Sequence, residues 1–250
     1  MKKITAEALA QAAGGVLAHE GNEPVAEHIS LDSRKMAGND LFVPIIGERA
    51  DGHDYICMAI GNGATVVFTS RHKTEEEVQE AILTQCKGDK EKETAAKAAA
   101  WICVPDTRKA LQDFGAYCRR NNPIPLVGIT GSVGKTTTRE MVAAALSAGF
   151  LVYKTPGNSN SQVGVPITVA EIPENAEIGV IELGMSEPGE MTRIANVAQV
   201  NCAVMTNIGV AHIEQLGSQE NILKEKLHIQ DGMSEKGTLF LNGDDPFLEM

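Results

Sequence analysis

No stretch of the 250 residues approaches the ~20 consecutive apolar positions that cross a bilayer, which excludes a membrane-spanning helix. The opening MKKITAEALAQAAGG has two lysines, but Glu7 and Gln11 interrupt any apolar core, so it is not read as a secretory signal. Aromatic residues are scarce at six Phe, three Tyr and one Trp, too few for a platform that stacks nucleic-acid bases. The five cysteines (Cys57, Cys86, Cys103, Cys118, Cys202) are odd in number and never closer than fifteen positions. That spacing excludes a disulfide framework and a zinc-ligand set, and a reducing cytoplasm is the simplest expectation. Positive charge is also short: 22 Lys and Arg face 33 Asp and Glu, a net charge of −11. A general nucleic-acid partner is thereby excluded. An anionic ligand is not, because backbone donors at a helix start bind phosphate inside an acidic protein.

What is present is a globular composition, 43% hydrophobic and 22% charged, of a length that suits one large domain or two ordinary ones. The first part mixes short elements. A helix is expected over Thr5–Ala13, closed by Gly14 and Gly15, and strands over Ile29–Leu31, Leu41–Pro44 and Thr65–Thr69, with a helix at His53–Gly61. Residues 73–100 are charged and alanine-rich and read as a solvated helix or mobile excursion. A strand at Trp101–Val104 and a helix from Thr107 through Arg120 follow, the latter with Leu111, Phe114 and Cys118 inward and its arginines exposed. Asn121-Asn122-Pro123-Ile124-Pro125 is the best linker, since two prolines stop the helix and favour extended chain. The expected division is therefore 1–122 and 123–250. Beyond the linker, apolar runs at Leu126–Thr130, Leu151–Thr155, Ile178–Leu183, Cys202–Ile208 and Thr238–Leu241 alternate with helical patterns after the first, third and fourth. The fold class expected is α/β: a small mixed N-terminal domain, then a mostly parallel-sheet, P-loop ATPase-like domain.

LVGITGSVGKTTTREMVAAAL is the most informative stretch. An apolar strand ends at Thr130, Gly131-Ser132-Val133-Gly134 forms a loop, and Lys135-Thr136-Thr137 opens a helix. Glycines let backbone N–H groups converge on phosphate oxygens, and the helix start adds a positive dipole end. Lys135 can reach the β- and γ-phosphates, and the Thr136 hydroxyl can ligate Mg²⁺. The first glycine of the standard P-loop pattern is missing, its place held by Ile129. Three later residues are candidates with two readings each. Glu182 ends a strand, where an open α/β sheet binds ligands, and is either a metal-site carboxylate or a surface glutamate. His212 follows a strand and is either a metal-site imidazole or a structural loop histidine. Lys226 lies on the inward face of a helix capped by Ser218, and on pattern alone is a snorkelling lysine.

TGSVGKTTT, TPGNSNSQVGVP, ELGMSEPGEM, TNIGVAHIEQLGS and ENILKEKLHI, in this order, resemble the ATP-dependent Mur ligases of peptidoglycan synthesis. The N-terminal run ISLDSRKMAGNDLFVPIIGERADGHDY resembles their uridine-nucleotide-binding domain. Gly157–Pro166 and Gly184–Glu190 favour the member that joins D-Ala-D-Ala to UDP-MurNAc-tripeptide. The alternatives are the ligase adding the third amino acid and a non-catalytic nucleotide-binding fragment. The resemblance implies ATP and Mg²⁺ as cofactors, an acyl-phosphate route to the amide, a cytoplasmic location and a monomer. It implies that Gly131, Ser132, Val133, Gly134, Lys135, Thr136, Thr137 and Asn207 bind the nucleotide, and that Lys135 stabilises the transferring phosphoryl group. It places Thr136, Glu182 and His212 at metals, together with Lys226 as a CO2-derived carbamate. Ser33, Arg34, Asn158 and Asn160 would bind substrate. Ser161 stands where the family pattern has asparagine, and His228 receives no role. The resemblance further implies that the central domain is incomplete and the C-terminal domain absent, so that the isolated chain would be inactive.

Overall fold

The computed structural model describes residues 1–22 and 24–249, and the chain divides into two compact units, Met1–Phe114 and Gly115–Met250. In the first unit β1 (Ile4–Thr5) leads into α1 (Ala6–Ala13), where Thr5 caps the start and Gly14, at φ 67°, closes the end by donating to Ala10 and Gln11 carbonyls. Next come β2 (Val16–His19), β3 (Val25–Ala26), β4 (His28–Ser30), β5 (Asp40–Phe42), α2 (Ile56–Gly61), β6 (Ala64–Thr69), α3 (Glu75–Cys86), α4 (Lys90–Ala98), β7 (Ala100–Cys103) and α5 (Thr107–Asn121), within which the division falls, before the expected linker at 121–125. The helix expected from His53 begins as a 3-10 turn over Gly52–Tyr55, with the Asp51 side chain accepting from His53 N. The sheet runs β2-β7-β6-β5-β4, and only β2 is antiparallel to its neighbour. Trp101 is fully buried in its core among Phe42, Ile56, Val67 and Ile82, and its indole N–H donates to Ala96 O at 3.3 Å.

Residues 73–100 are helical, one of the two readings, but they are docked on the core rather than wholly solvated or a mobile excursion. Thr74 and Glu77 form a capping box on α3, Asp89 caps α4, and Val78, Ala81, Ile82, Cys86 and Ala96 are buried in the same core. One or two inward residues per turn suffice to dock these helices, and the alanines let α4 lie close to α2. The charges that dominate the composition all sit on the outer faces.

The second unit contains β8 (Leu126–Thr130), α6 (Lys135–Leu146), β9 (Val152–Lys154), α7 (Gly164–Ala170), β10 (Ile178–Glu182), α8 (Glu190–Ala198), β11 (Cys202–Met205), α9 (Ile213–Leu216), α10 (Gln219–Leu227) and β12 (Thr238–Leu241). All five strands are parallel, in the order β12-β11-β8-β10-β9. Ile181, Leu183, Ala203 and Met205 pack with Val165 and Val169 of α7, Met191 and Ile194 of α8 and Ile222 of α10. Ile129 and Val180 face the other way, onto Ala143 of α6. Burial on both faces is why these strands read as continuous apolar runs. The helix α7 has no counterpart in the sequence reading because Pro166 lies inside it. The proline sits in the first turn, where its missing N–H has no helical partner to lose.

From the central β8 the chain goes out to β9, returns through β10 and crosses to β11 and β12. That reversal opens a crevice beyond the C-terminal end of β8, where the phosphate loop begins. At the opposite end of α8, Arg119 is buried rather than exposed as its helical position implied. Its Nε donates to Ala198 O at 2.9 Å and its Nη2 to Gln199 O at 3.2 Å, serving carbonyls that the helix end leaves without partners.

Candidate active site

The loop Gly131–Gly134 joins β8 to α6 and is held from the segment after β11. Asn207 O accepts from Ser132 N at 3.0 Å, while the Asn207 side chain accepts from Val133 N at 3.0 Å and donates to Val133 O at 3.2 Å. Thr206 Oγ1 donates to Val133 O at 2.6 Å, and Gly209 N donates to Ser132 Oγ at 2.9 Å. Gly131 has φ 143°, and a Cβ there would stand 1.9 Å from Thr206 Oγ1, so only glycine fits. Gly134 is the N-cap of α6 at φ 83° and provides no side-chain cap. The first-turn N–H groups of α6 are therefore left for a ligand, which is the condition for an anion site. Lys135 Nζ folds back onto Gly131 O at 2.8 Å. Burial pushes its pKa down, against the pull of Glu182.

Glu182 is completely buried at the end of β10. Its Oε2 lies 3.4 Å from the Thr136 hydroxyl and 3.3 Å from the Asn160 amide nitrogen, both of which donate to it. Arg139 Nη1 is 3.0 Å from Oε1, yet that oxygen receives no hydrogen bond. The reason is that Nη1 donates instead to Thr155 O and Gly157 O, each at 2.8 Å. Oε1 thus feels the arginine's charge without being satisfied by it. Among the described residues no three His, Cys, Asp or Glu side chains gather to hold a metal. A cation here would rest on Glu182, Thr136 and oxygens from water or phosphate, the hard-oxygen set that suits Mg²⁺ rather than zinc.

Lys226 is buried on α10, whose N-cap is Ser218 as the sequence indicated. Its pKa is pushed down to about 7, first by burial and then by the charge of Lys135, with Glu225 opposing. Glu225 is itself buried and turned away, accepting from Gly189 N through Oε2 and Met191 N through Oε1, both at 3.0 Å. Gly189 caps α8 without a side chain, so Glu225 provides the missing cap from a different helix.

Not every expected residue joins this cluster. His212 is exposed at the N-cap of α9, in left-handed backbone at φ 64°, and its ring makes no hydrogen bond that ties it to Glu182. Asn158 and Thr137 are exposed, and the Asn207 amide is occupied by Val133. Ser161 Oγ accepts from Gly164 N at 3.3 Å at the start of α7. Arg139, Glu225 and Thr206 escaped the sequence reading. Arg139 sits where helical spacing marks the covered face of α6, the one signal that pointed to it.

In the first unit, Ser33 and Arg34 border a cavity of about 510 Å³ that is also lined by Leu31, Phe42, Ile45 and Tyr55. Ser33 is nearly buried, while the Arg34 side chain is exposed and forks onto Asp32, with Nε to Oδ1 at 2.8 Å and Nη2 to Oδ2 at 2.9 Å. These hydrogen bonds hold the Asp32 carboxyl down to about 2.

Residues 129–250 match the Mur ligase middle domain and residues 26–118 match the catalytic domain of the Mur ligase family. The chain belongs to the Mur ligase family. It is 36% identical over 250 residues to the UDP-N-acetylmuramoyl-tripeptide–D-alanyl-D-alanine ligase of Bacillus subtilis (strain 168), covering 100% of this chain and 50% of that protein. The ligase of the same name from Escherichia coli (strain K12) is 31% identical over 245 residues, covering 98% and 49%. Among solved structures, MurF from Acinetobacter baumannii matches with a TM-score of 0.83 at 29% identity, over 99% of this chain and 50% of that one. MurF from Thermotoga maritima in complex with ADP matches with a TM-score of 0.72 at 30% identity, over 90% and 47%. The chain therefore spans about half the length of the Mur ligases it matches. The mixed α/β fold with a parallel-sheet central domain is the fold of these MurF structures.

Proposed function

We propose that this chain supplies the nucleotide-binding and acid-activating machinery of an ATP-dependent ligase that joins D-Ala-D-Ala to UDP-MurNAc-tripeptide in the cytoplasm. The observation that carries the reading is the meeting of Thr136, at the open start of α6, with the buried and incompletely satisfied Glu182. A carboxylate has no good leaving group, so ATP must phosphorylate it before an amine can displace phosphate. The first-turn amides of α6 and Lys135 bind and orient the phosphates, and Lys135 offsets charge on the transferring group. Thr136 and Glu182 would hold Mg²⁺, which when bound screens the repulsion between two anions that must approach. Asn160 holds Glu182 Oε2 in place from the Gly157–Pro166 segment, which would present the acyl substrate.

Lys226 fits the carbamate expected from the family resemblance. With its pKa near 7, much of the amine is neutral at physiological pH and so nucleophilic toward CO2. The product is an anion, and Lys135, whose charge is felt at the Lys226 amine, would offset it. In the first unit, the cavity at Ser33 and Arg34 would take the uridine nucleotide. Arg34 would then exchange its fork on Asp32 for a phosphate or carboxylate. His212 would complete the metal environment only after its exposed segment moves inward.

Substrate-dependent ADP formation tests the proposal. UDP-MurNAc-tripeptide with D-Ala-D-Ala should release ADP and phosphate, and omission of either should abolish release. Turnover with a free amino acid and the UDP-linked dipeptide would instead make it the ligase that adds the third residue.

A further inference from the structure

The buried guanidinium of Arg139 has no part in the nucleotide binding described above. It stands where three separate pieces of chain meet. Its Nη1 donates to Thr155 O and Gly157 O at 2.8 Å each and lies 3.0 Å from Glu182 Oε1. Its Nε donates to Glu140 Oε1 at 3.0 Å, and Glu140 in turn pairs with Lys154. Thr155 is itself buried, and its Oγ1 accepts from Glu182 N at 2.9 Å. One rigid, planar group thus grips α6, the turn that leads to Asn160, and the end of β10.

We propose that Arg139 is a positioning residue that sets the Glu182 carboxylate and the Gly157–Asn160 turn in a fixed relation to each other. The proposal rests on the reading of Glu182 as the metal-holding carboxylate. With its charge against Oε1, Arg139 leaves Oε2 aimed at Thr136 and the phosphate loop. With its hydrogen bonds to Thr155 and Gly157, it fixes the turn from which Asn160 reaches the same Oε2. The nucleotide side and the acyl-substrate side of the site would then share one anchor. Lysine at this position keeps the charge, but it lacks the Nε–H that donates to Glu140, and its flexible stem does not hold one nitrogen against both carbonyls in a fixed plane.

Two measurements on the 250-residue chain decide this, with Arg139→Met and Arg139→Lys as the variants. The first is the affinity for ADP with and without Mg²⁺. Metal-free affinity should stay within about twofold in both variants, while the gain produced by Mg²⁺ should fall at least about tenfold in Arg139→Met and less in Arg139→Lys. The second is amide hydrogen exchange at residues 157–160, which should quicken at least about tenfold in both variants and needs no metal. A folded Arg139→Met chain with the parental Mg²⁺ gain and the parental exchange overturns the proposal. If Arg139→Met does not fold, parental exchange in Arg139→Lys overturns it equally. If the parent itself binds ADP with no gain from Mg²⁺, the metal reading of Glu182 fails. The exchange measurement then decides the positioning role alone, quickened exchange supporting it and unchanged exchange refuting it.

Discussion

Replacing Lys226 by methionine is expected to make the chain more stable and to abolish the proposed ligase activity. Methionine keeps the length of the buried stem and removes the amine that burial disfavours. In the folded chain the amine gives up its proton near pH 7, against an ordinary lysine value of 10.5. The unfolded chain therefore binds more protons between these limits, and parental stability rises with pH across that window. At pH 7 and below, the parent carries a penalty of about 5 kcal/mol that the variant lacks. Above pH 7 the difference should shrink by about 1.4 kcal/mol per pH unit and vanish near the ordinary lysine value. Urea unfolding of both chains in CO2-free buffer at several pH values between 6 and 10 measures it. A variant less stable than the parent, or a difference that ignores pH, would show that the amine is solvated. Such a trade of stability for function is common where an active site needs a buried polar group.

Gly131→Ala is expected to abolish detectable ADP binding and to destabilise the chain by about 3 kcal/mol. Two effects add. The backbone at φ 143° is one that residues with a Cβ rarely adopt, and the new carbon would lie 1.9 Å from Thr206 Oγ1. Relief of the clash must displace Thr206, which donates to Val133 O, or rotate the loop away from the helix start. Either movement spoils the convergence of N–H groups on a phosphate. Gly149→Ala is the control, since nothing lies within 4 Å of a Cβ there. Its stability should stay within about 0.5 kcal/mol of the parent. Calorimetric titration with ADP and thermal melting read both effects, and normal ADP affinity in Gly131→Ala would count against the loop's assigned role.

The parts of the site legible in the sequence are those that local pattern encodes. The strand–glycine loop–helix at Leu126–Leu146, the Ser218 cap and the inward face of Lys226 each depend on residues within a few positions of one another. The parallel sheet was legible for the same reason, since each buried strand is a short apolar run. What was not legible is long-range. Arg139 reaches Gly157 and Glu182, Glu225 caps a helix that starts 36 positions earlier at Gly189, and Asn207 braces Val133 from 74 positions away. Helical spacing marks Arg139 as covered without saying what it meets, and nothing in local periodicity distinguishes Glu225 or Asn207 from solvated side chains. Lys226 changed most between the two views. Pattern alone made it a snorkelling lysine, whereas burial with Lys135 nearby makes its amine a site in its own right. The charged stretch 73–100 is helical as one reading had it, but composition concealed the few inward residues that dock it.

The central claim is that the phosphate loop, Thr136 and Glu182 form one site for a nucleotide and its metal. Titrating the 250-residue chain with ADP, in the presence and absence of Mg²⁺, tests that claim most directly. The account predicts binding that Mg²⁺ strengthens at least about tenfold in the parent, with that gain lost in Glu182→Gln while metal-free binding persists. No ADP binding, or a Mg²⁺ gain that survives in Glu182→Gln, would contradict it.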